Sequence, residues 1–327
     1  MNTFKDVCKK TQKQLIPYLV SQLQTNGYTE VIQADGYIYA KGEIPILLTA
    51  HMDTVHKVQC SYINEYMVQD KHRLSSYQGI GGDDRCGIYM ILELIKTHKC
   101  SVLFCEDEEI GGVGSKKFCE SNFINDLSGM KYLIELDRAN ANDAVFYDCD
   151  NPEFTKFITE NTGYKEAWGS FSDISYLAPK CKVAAVNLSC GYYNAHRTTE
   201  YVVWEEMINT IEVVKKLLDV ECEQFEYIEC KYPLGYHYGY GYNYGYNYRS
   251  QSKGNSTHSS YGSYSRYTDD DDFIYYILTV QYRQGDSTEL KRDTVVGDSK
   301  NEAWGKFFIM RPDICYNDVY DYEFDYV

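Results

Sequence analysis

The chain has 327 residues, with 32 Lys and Arg against 48 Asp and Glu and a formal net charge of −16. That length holds about two domains of roughly 100–200 residues each and is ample for a buried core. The acidic balance repels a phosphate backbone, which excludes nucleic acid as a natural partner, and no run approaches the roughly 20 consecutive apolar residues of a membrane helix. Twelve cysteines are scattered from Cys8 to Cys315 without a CxxC pair, and the opening MNTFKDVCKK is polar and charged in place of an apolar signal core. The expectation is reduced thiols and a cytoplasmic location.

Over residues 4–26, Leu15, Ile16, Leu19, Val20 and Leu23 recur at helical spacing up to Asn26-Gly27, which reads as one amphipathic helix with Pro17 inside it. TEVIQAD and YIYAKG, joined at Gly36, read as two strands, and IPILLTAHMD is an unbroken apolar run that suits a strand buried on both faces. Strand and helix then alternate: helix 84–98, strand 101–106, helix 114–124, strand 131–137, helix 151–162, strand 182–189 and helix 204–219. Alternation implies crossover connections, hence an α/β fold with a mostly parallel sheet and helices on both faces. From 232 to 267 the sequence is almost wholly Tyr, Gly, Ser and Asn, with no aliphatic residue after Leu234, a composition that cannot build a packed core. FIYYILTVQYR, RDTVV and AWGKFFIMRP follow Asp269–Asp272 and read as a small strand-rich module with an acidic tail. The expected organisation is an α/β domain over 1–222, a Tyr/Gly/Ser-rich low-complexity linker over 223–268 and a small β-rich module over 269–327. The linker's rings can stack between chains as readily as within one, a route to self-association.

The chemistry-bearing residues gather at strand ends, where open α/β sheets place their sites. His51 and Asp53 close the first buried strand, Asp83-Asp84 precede the first crossover helix, Glu108-Glu109 follow strand 101–106, Asp137 ends strand 131–137 and His196 follows strand 182–189. Each alone has an ordinary explanation: a hydrogen-bonded His-x-Asp pair, a helix cap beside glycines, a solvated acidic run, a loop histidine. Together those explanations have no common cause. A mixed N/O ligand set for zinc or a related divalent ion has one, and the set is rich enough for two ions.

Five stretches carry a resemblance to a family: TAHMDTV (49–55), GIGGDDRCG (79–87), EDEEIGGVGS (106–115), ELDRAN (135–140) and YYNAHRTTEYV (192–202). In this order they resemble the co-catalytic di-zinc exopeptidases, a superfamily that includes peptidase T, the zinc aminopeptidases, and the acetylornithine deacetylase and carboxypeptidase G relatives. The resemblance spans about residues 1–220. It implies His51 and His196 as terminal ligands, one on each zinc, and Asp83 as the bridging carboxylate with Asp84 as the alternative. It further implies Glu109 on the zinc of His196, Asp137 on the zinc of His51, Asp53 fixing the His51 tautomer, and Glu108 as the base that takes a proton from a metal-bridging water. The implied cofactors are two Zn2+ per chain, with Co2+ or Mn2+ as substitutes. The implied activity is that of an aminopeptidase on short peptides. An N-acyl amino acid deacylase or carboxypeptidase on the same scaffold is the rival enzyme, and a non-catalytic interaction protein retaining the fold is the rival outside enzymes.

Asp137 and His196 are 59 positions apart, and His51 and Asp83 are 32 apart. Those gaps leave no room for the lid or inserted domain of larger relatives, so a lidless catalytic domain is expected, with little more than a helix and a strand between Asp137 and His196. Two further residues are expected near substrate. Asp173 falls where relatives carry an acidic loop by the pocket, and Arg138 is read as pairing with Asp173 or Glu135 or as meeting a substrate acid.

Overall fold

Residues 1–167, 169, 171–229, 276–282, 290–297, 311 and 319–326 are described by the computed structural model. The chain divides into two units, Met1–Lys231 and Tyr232–Val327.

The helix expected over 4–26 is two helices, α1 (Asn2–Cys8) and α2 (Gln12–Thr25). The break has a cause in the sequence: Thr11 and Gln14 form a capping box, each side chain accepting the other's backbone N–H, so two orphan donors of a fresh helix are satisfied at that point. β1 (Val31–Ala34), β2 (Tyr37–Ala40) and β3 (Ile44–His51) follow, then an exposed hairpin of β4 (Asn64–Val68) and β5 (Lys71–Ser75). Next come α3 (Gly82–Leu94), β6 (Cys100–Cys105), α4 (Val113–Glu120), α5 (Ile124–Leu127), β7 (Tyr132–Arg138) and β8 (Asp143–Val145). The unit continues through α6 (Pro152–Thr162), β9 (Lys165–Ala167), α7 (Ile174–Cys181), β10 (Ala185–Ser189), β11 (Tyr192–Tyr193), β12 (Tyr201–Val203) and α8 (Trp204–Leu218).

The main sheet has eight strands in the order β1-β2-β6-β3-β7-β10-β8-β9. Its central strands β6, β3, β7 and β10 are parallel, while β1, β2 and β8 join by antiparallel pairing. Side chains alternate between the faces, as the pleat requires. Ile46, Leu48, Ala50, Val102, Phe104, Ile134 and Val186 face one core, shared with α1, α2, α3, α6 and α8. Leu47, Leu103, Leu133 and Ala185 face the other, shared with α4, α5 and α7. Burial on both faces explains why β3 and β6 read as continuous apolar runs. A second sheet, β11-β12-β5-β4, is antiparallel throughout.

Between Asp137 and His196 the described residues carry α6, α7 and strands β8 to β11, against little more than a helix and a strand expected, and no lid domain among them. Packing also continues past residue 222. The Phe225 ring lies 5.0 Å from Phe157 and 5.2 Å from Phe154 by centroids, and backbone bonds tie Phe225 and Tyr227 to Lys131, Lys182 and Ala184. In the second unit β13 (Tyr276–Tyr282) pairs antiparallel with β14 (Lys291–Gly297) and with β15 (Val319–Tyr326). The Tyr/Gly/Ser-rich stretch 232–267 lies outside the described residues.

Candidate metal centre

The C-terminal end of β3 delivers His51 into the centre with its ring fully buried. Its Nδ1 meets Asp53 Oδ1 at 3.0 Å, and its Nε2 faces Asp83 Oδ1 at 2.9 Å and Asp137 Oδ1 at 3.5 Å. His196, in the loop between β11 and β12, brings its Nε2 to 3.1 Å from both Asp83 Oδ2 and Glu109 Oε2. The two oxygens of Asp83 thus point at two different histidines. His51, Asp83 and Asp137 form one donor set and Asp83, Glu109 and His196 a second, with the donor atoms of each set within 4.8 Å of one another.

The donor chemistry fits cations at both places. With Nδ1–H given to Asp53, the His51 Nε2 lone pair faces two carboxylate oxygens, acceptor against acceptor, unless a proton or a metal ion stands between them. Two ligands of a tetrahedral zinc at bond lengths of about 2.0–2.1 Å stand ~3.3 Å apart, the scale of the separations found here. Glu109 Oε1 is buried with no hydrogen-bond partner, an acceptor awaiting an electrophile. Titration points the same way. Hydrogen bonds with Asp83 and Glu109 push the His196 imidazole up to about 11. Burial opposes the charged form of His51, but Asp137, Asp53 and Asp83 outweigh it and hold the ring above its ordinary value. Burial likewise opposes ionisation of Asp83, and His196 and His51 outweigh it and hold the carboxyl well below the usual range. A divalent ion held at these positions would do so by displacing protons.

The acid pair is split by its partners. Asp84 Oδ2 accepts the His51 N–H at 3.1 Å and Oδ1 the Gly87 N–H at 2.9 Å, so Asp84 is committed to backbone while Asp83 faces the imidazoles. Gly87 is required there, since a Cβ would stand 1.9 Å from the Leu136 carbonyl and 2.6 Å from the Asp84 carboxylate. Asp53 does more than meet His51: its two oxygens also accept the N–H groups of Glu108 at 3.0 Å and Glu109 at 3.1 Å. Glu108 is buried, and burial, reinforced by Asp137 and Asp173 against the pull of His51, raises its carboxyl to about 10. The Asp137 N–H donates to Asn187 Oδ1 at 2.9 Å, Ser172 Oγ donates to its Oδ2 at 3.3 Å, and Tyr192 Oη donates to its carbonyl at 3.0 Å.

One expectation is corrected. Arg138 pairs with Asp143, Nη2 to Oδ2 at 3.4 Å, and with neither Asp173 nor Glu135. Asp143 is the acid its side chain meets, because the short turn after β7 brings the start of β8 back toward Arg138 five residues on. Asp173 is fully buried at the head of α7 with its N–H donated to Glu135 Oε1 at 3.2 Å and both carboxylate oxygens without a hydrogen-bond partner. One residue of weight went unread. Glu200, fully buried, accepts the N–H groups of Gly81 at 2.9 Å and Asp83 at 3.0 Å and pairs with His56 Nε2 at 2.9 Å, so it holds the turn that presents Asp83. It stands inside the YYNAHRTTEYV stretch, where an acid directly ahead of the apolar Tyr201-Val202-Val203 was the available signal.

No protein-family model matches the sequence, and no curated protein matches it. Solved structures match in fold. Aminopeptidase PepT from Bacillus cereus is 15% identical with a TM-score of 0.51, covering 66% of this chain and 96% of that one. A tripeptidase from Staphylococcus aureus is 14% identical with a TM-score of 0.53 over the same shares. An aminopeptidase from the archaeon Desulfurococcus kamchatkensis is 14% identical with a TM-score of 0.51, covering 68% and 95%. The chain has a zinc-exopeptidase-like fold. Among the described residues no helix is long and apolar enough to cross a membrane.

Proposed function

We propose that this chain is a di-zinc aminopeptidase that hydrolyses short peptides in the cytoplasm. The observation that carries the reading is Asp83 set between His51 and His196, with Asp137 and Glu109 completing two three-residue donor sets that share it. Zinc held by those sets would supply Lewis-acid polarisation of the scissile carbonyl, a lowered pKa for water, and positive charge that would draw the Glu108 carboxyl down from its raised value. Glu108 is the one acid of the Glu108-Glu109 pair outside the donor sets, and it is assigned the proton: it takes one from the attacking water and returns it to the leaving amine. Asp53 fixes base and ligand relative to each other by holding both of their N–H groups together with the His51 ring. Asp137 is oriented by Ser172 and by the Asn187 side chain. The cytoplasmic setting is supported by free thiols at all ten cysteines of the described residues.

Metal analysis of the purified chain together with a panel of aminoacyl, acyl and C-terminal reporter substrates tests the proposal. Close to two zinc equivalents are expected, with cleavage of peptides bearing a free amino terminus and none after N-acetylation. Faster release of an acyl group from N-acyl amino acids transfers the assignment to the deacylase. Undiminished hydrolysis in strong chelator refutes the metal chemistry altogether.

A further inference from the structure

We propose that His56 is a positioning residue for the candidate metal centre, acting through Glu200 on the turn that presents Asp83, an inference that rests on the metal-centre reading and deepens it. His56 lies in the loop after β3, and Glu200 stands directly before β12, 144 positions on. His56 Nε2 meets Glu200 Oε2 at 2.9 Å, with the imidazole side chain 9% exposed and the carboxylate fully buried. A carboxylate oxygen accepts, so Nε2 bears the hydrogen. Glu200 Oε2 also takes the Gly81 N–H at 2.9 Å, and Oε1 takes the Asp83 N–H at 3.0 Å. Three donors meet on one buried carboxylate, and His56 supplies the one that comes from a side chain.

The turn needs such support. Asp83 (φ −83°, ψ 101°) and Asp84 (φ −121°, ψ 47°) depart from helical geometry at the start of α3, so the helix does not fix the direction in which the Asp83 side chain leaves the backbone. The first turn of a helix also leaves its N–H groups without intrahelical acceptors, and Glu200 takes that of Asp83 from a distant segment. The His56 ring is in turn fitted to its place. A Cβ at Gly79, whose φ is +86°, would stand 2.2 Å from His56 Nδ1, so the ring edge fills the space a side chain would occupy there. The His56 N–H donates to Thr54 Oγ1 at 3.2 Å, and Arg85 ties the loop to α3, its Nη1 donating to the carbonyls of Met52 at 2.8 Å and Asp53 at 3.2 Å.

One short loop therefore reaches both halves of the centre. Asp53 takes His51 Nδ1 and the N–H groups of Glu108 and Glu109, while His56, three positions on, holds the Asp83 turn through Glu200. Asp83 belongs to both donor sets, so displacement of its turn is felt at both, whereas loss of a terminal ligand is felt at one. Two roles for His56 make opposite demands on its side chain. A residue that only fills the space over Gly79 needs the ring, and a residue that orients Asp83 through Glu200 needs the Nε2 donor.

His56→Gln keeps an N–H donor and discards the ring, and His56→Phe keeps a ring and discards the donor. Each full-length variant is read in two ways: zinc affinity by competition with a chromophoric chelator, and hydrogen exchange of segment 79–84 in the metal-free chain by mass spectrometry. With His56→Phe, zinc affinity is expected to fall about tenfold at both places, the lower end of the roughly 10–100-fold cost of losing a ligand's outer partner, and segment 79–84 to exchange faster. His56→Gln is expected to stay close to wild type in both readouts. Melting curves of the metal-free chains confirm that the fold is kept, and His56→Ala replaces His56→Phe in the comparison if the latter does not melt cooperatively. A His56→Gln chain that ranks no better than His56→Phe, unchanged exchange in both, a loss confined to one ion, or failure of all three variants to fold overturns the inference. A wild-type chain that binds no zinc refutes the metal centre instead, and the exchange rates then still decide whether His56 holds the turn.

Discussion

Asp53→Asn probes the centre at its most heavily shared acceptor. The carboxylate serves three donors with two oxygens: Oδ1 takes His51 Nδ1 at 3.0 Å and the Glu108 N–H at 3.0 Å, and Oδ2 takes the Glu109 N–H at 3.1 Å. Asparagine preserves the size but has a single acceptor oxygen. Turned one way, its amide group meets the Glu109 N–H donor against donor; turned the other, it meets His51 and Glu108. A hydrogen bond to a charged group is worth about 1.5–3 kcal/mol, and a buried donor left unpaired costs about 1–3 kcal/mol. The substitution therefore frees the His51 ring to rotate and loosens the loop that carries Glu109. Loss of such support from a metal-ligating histidine lowers affinity about 10–100-fold, or ~1.4–2.8 kcal/mol at ~1.4 kcal/mol per decade. Competition with a chromophoric zinc chelator measures the change, and a thermal melt separates it from unfolding. The expected variant still binds two ions, each more weakly, and kcat/KM falls with occupancy. Zinc affinity within twofold of wild type, in a variant that melts normally, refutes the role given to Asp53.

Glu108→Gln removes the proton acceptor and leaves both donor sets intact, so it is expected to retain zinc and lose about 10²–10⁴-fold in turnover, whereas Glu109→Gln is expected to lose metal; the reverse pattern, read by metal analysis and initial rates, means that the register of the pair is shifted by one. A chain ending at residue 231 is expected to melt like the full first unit, while one ending at 222 loses the Phe225 contacts with Phe154 and Phe157 and the backbone bonds of Phe225 and Tyr227. The shorter chain is expected to be less stable by about 3 kcal/mol or more, the scale of deleting a large side chain from a core, and equal denaturation midpoints overturn that account.

The strands that position the centre were legible because burial on both faces leaves a continuous apolar signature. β3, β6 and β7 stand within a few residues of where IPILLTAHMD, SVLFCE and KYLIELD placed them. The β4–β5 hairpin was not legible. Its first strand, NEYMV, is largely exposed, and its sheet exists only because β5 pairs with β12 from far along the chain, Leu74 against Val202; no local period encodes such a partner. α7 escaped for a different reason. With Pro179 inside it and only eight residues, it offers too little periodic pattern, and Lys182, read as the start of a strand, is in fact its left-handed C-cap. The capping box at Thr11 and Gln14 was written in the sequence, but Leu15, Leu19 and Leu23 all belong to α2, and the seven residues of α1, with Phe4, Val7 and Cys8 buried, are too short a pattern to announce a helix of their own. The partner of Arg138 was not legible because Asp173, Glu135 and Asp143 are all acids within reach on paper, and only the turn between β7 and β8 selects Asp143, five residues on.

The surplus of acids at the centre has a division of labour that explains why the sequence shows so many together. Beside the ligand set stand carboxylates whose work is to hold backbone. Asp84 takes the N–H of His51, Asp53 those of Glu108 and Glu109, Glu200 those of Gly81 and Asp83, and Glu135 those of Asp173 and Ile174. Four segments arriving at the centre are thereby pinned through their own N–H groups by an acid borne on another segment or on another turn of the chain. A carboxylate suits that work because it accepts several donors at once and strengthens each bond by its charge. The same charge makes a ring of unneutralised acids costly to bury, and burial accordingly raises the carboxyls of Asp84, Glu135 and Glu200; cations held as proposed would offset that cost. On the proposed reading anchors and ligands are interdependent: the anchors hold donor atoms at separations near 3 Å, and cations between those donors would favour the ionised anchors. Acid pairs such as Asp83-Asp84 cannot be apportioned from spacing alone, since adjacent side chains differ only in which partner the fold brings to each. The backbone N–H of His51 settles it, by claiming Asp84 and leaving Asp83 to face both imidazoles.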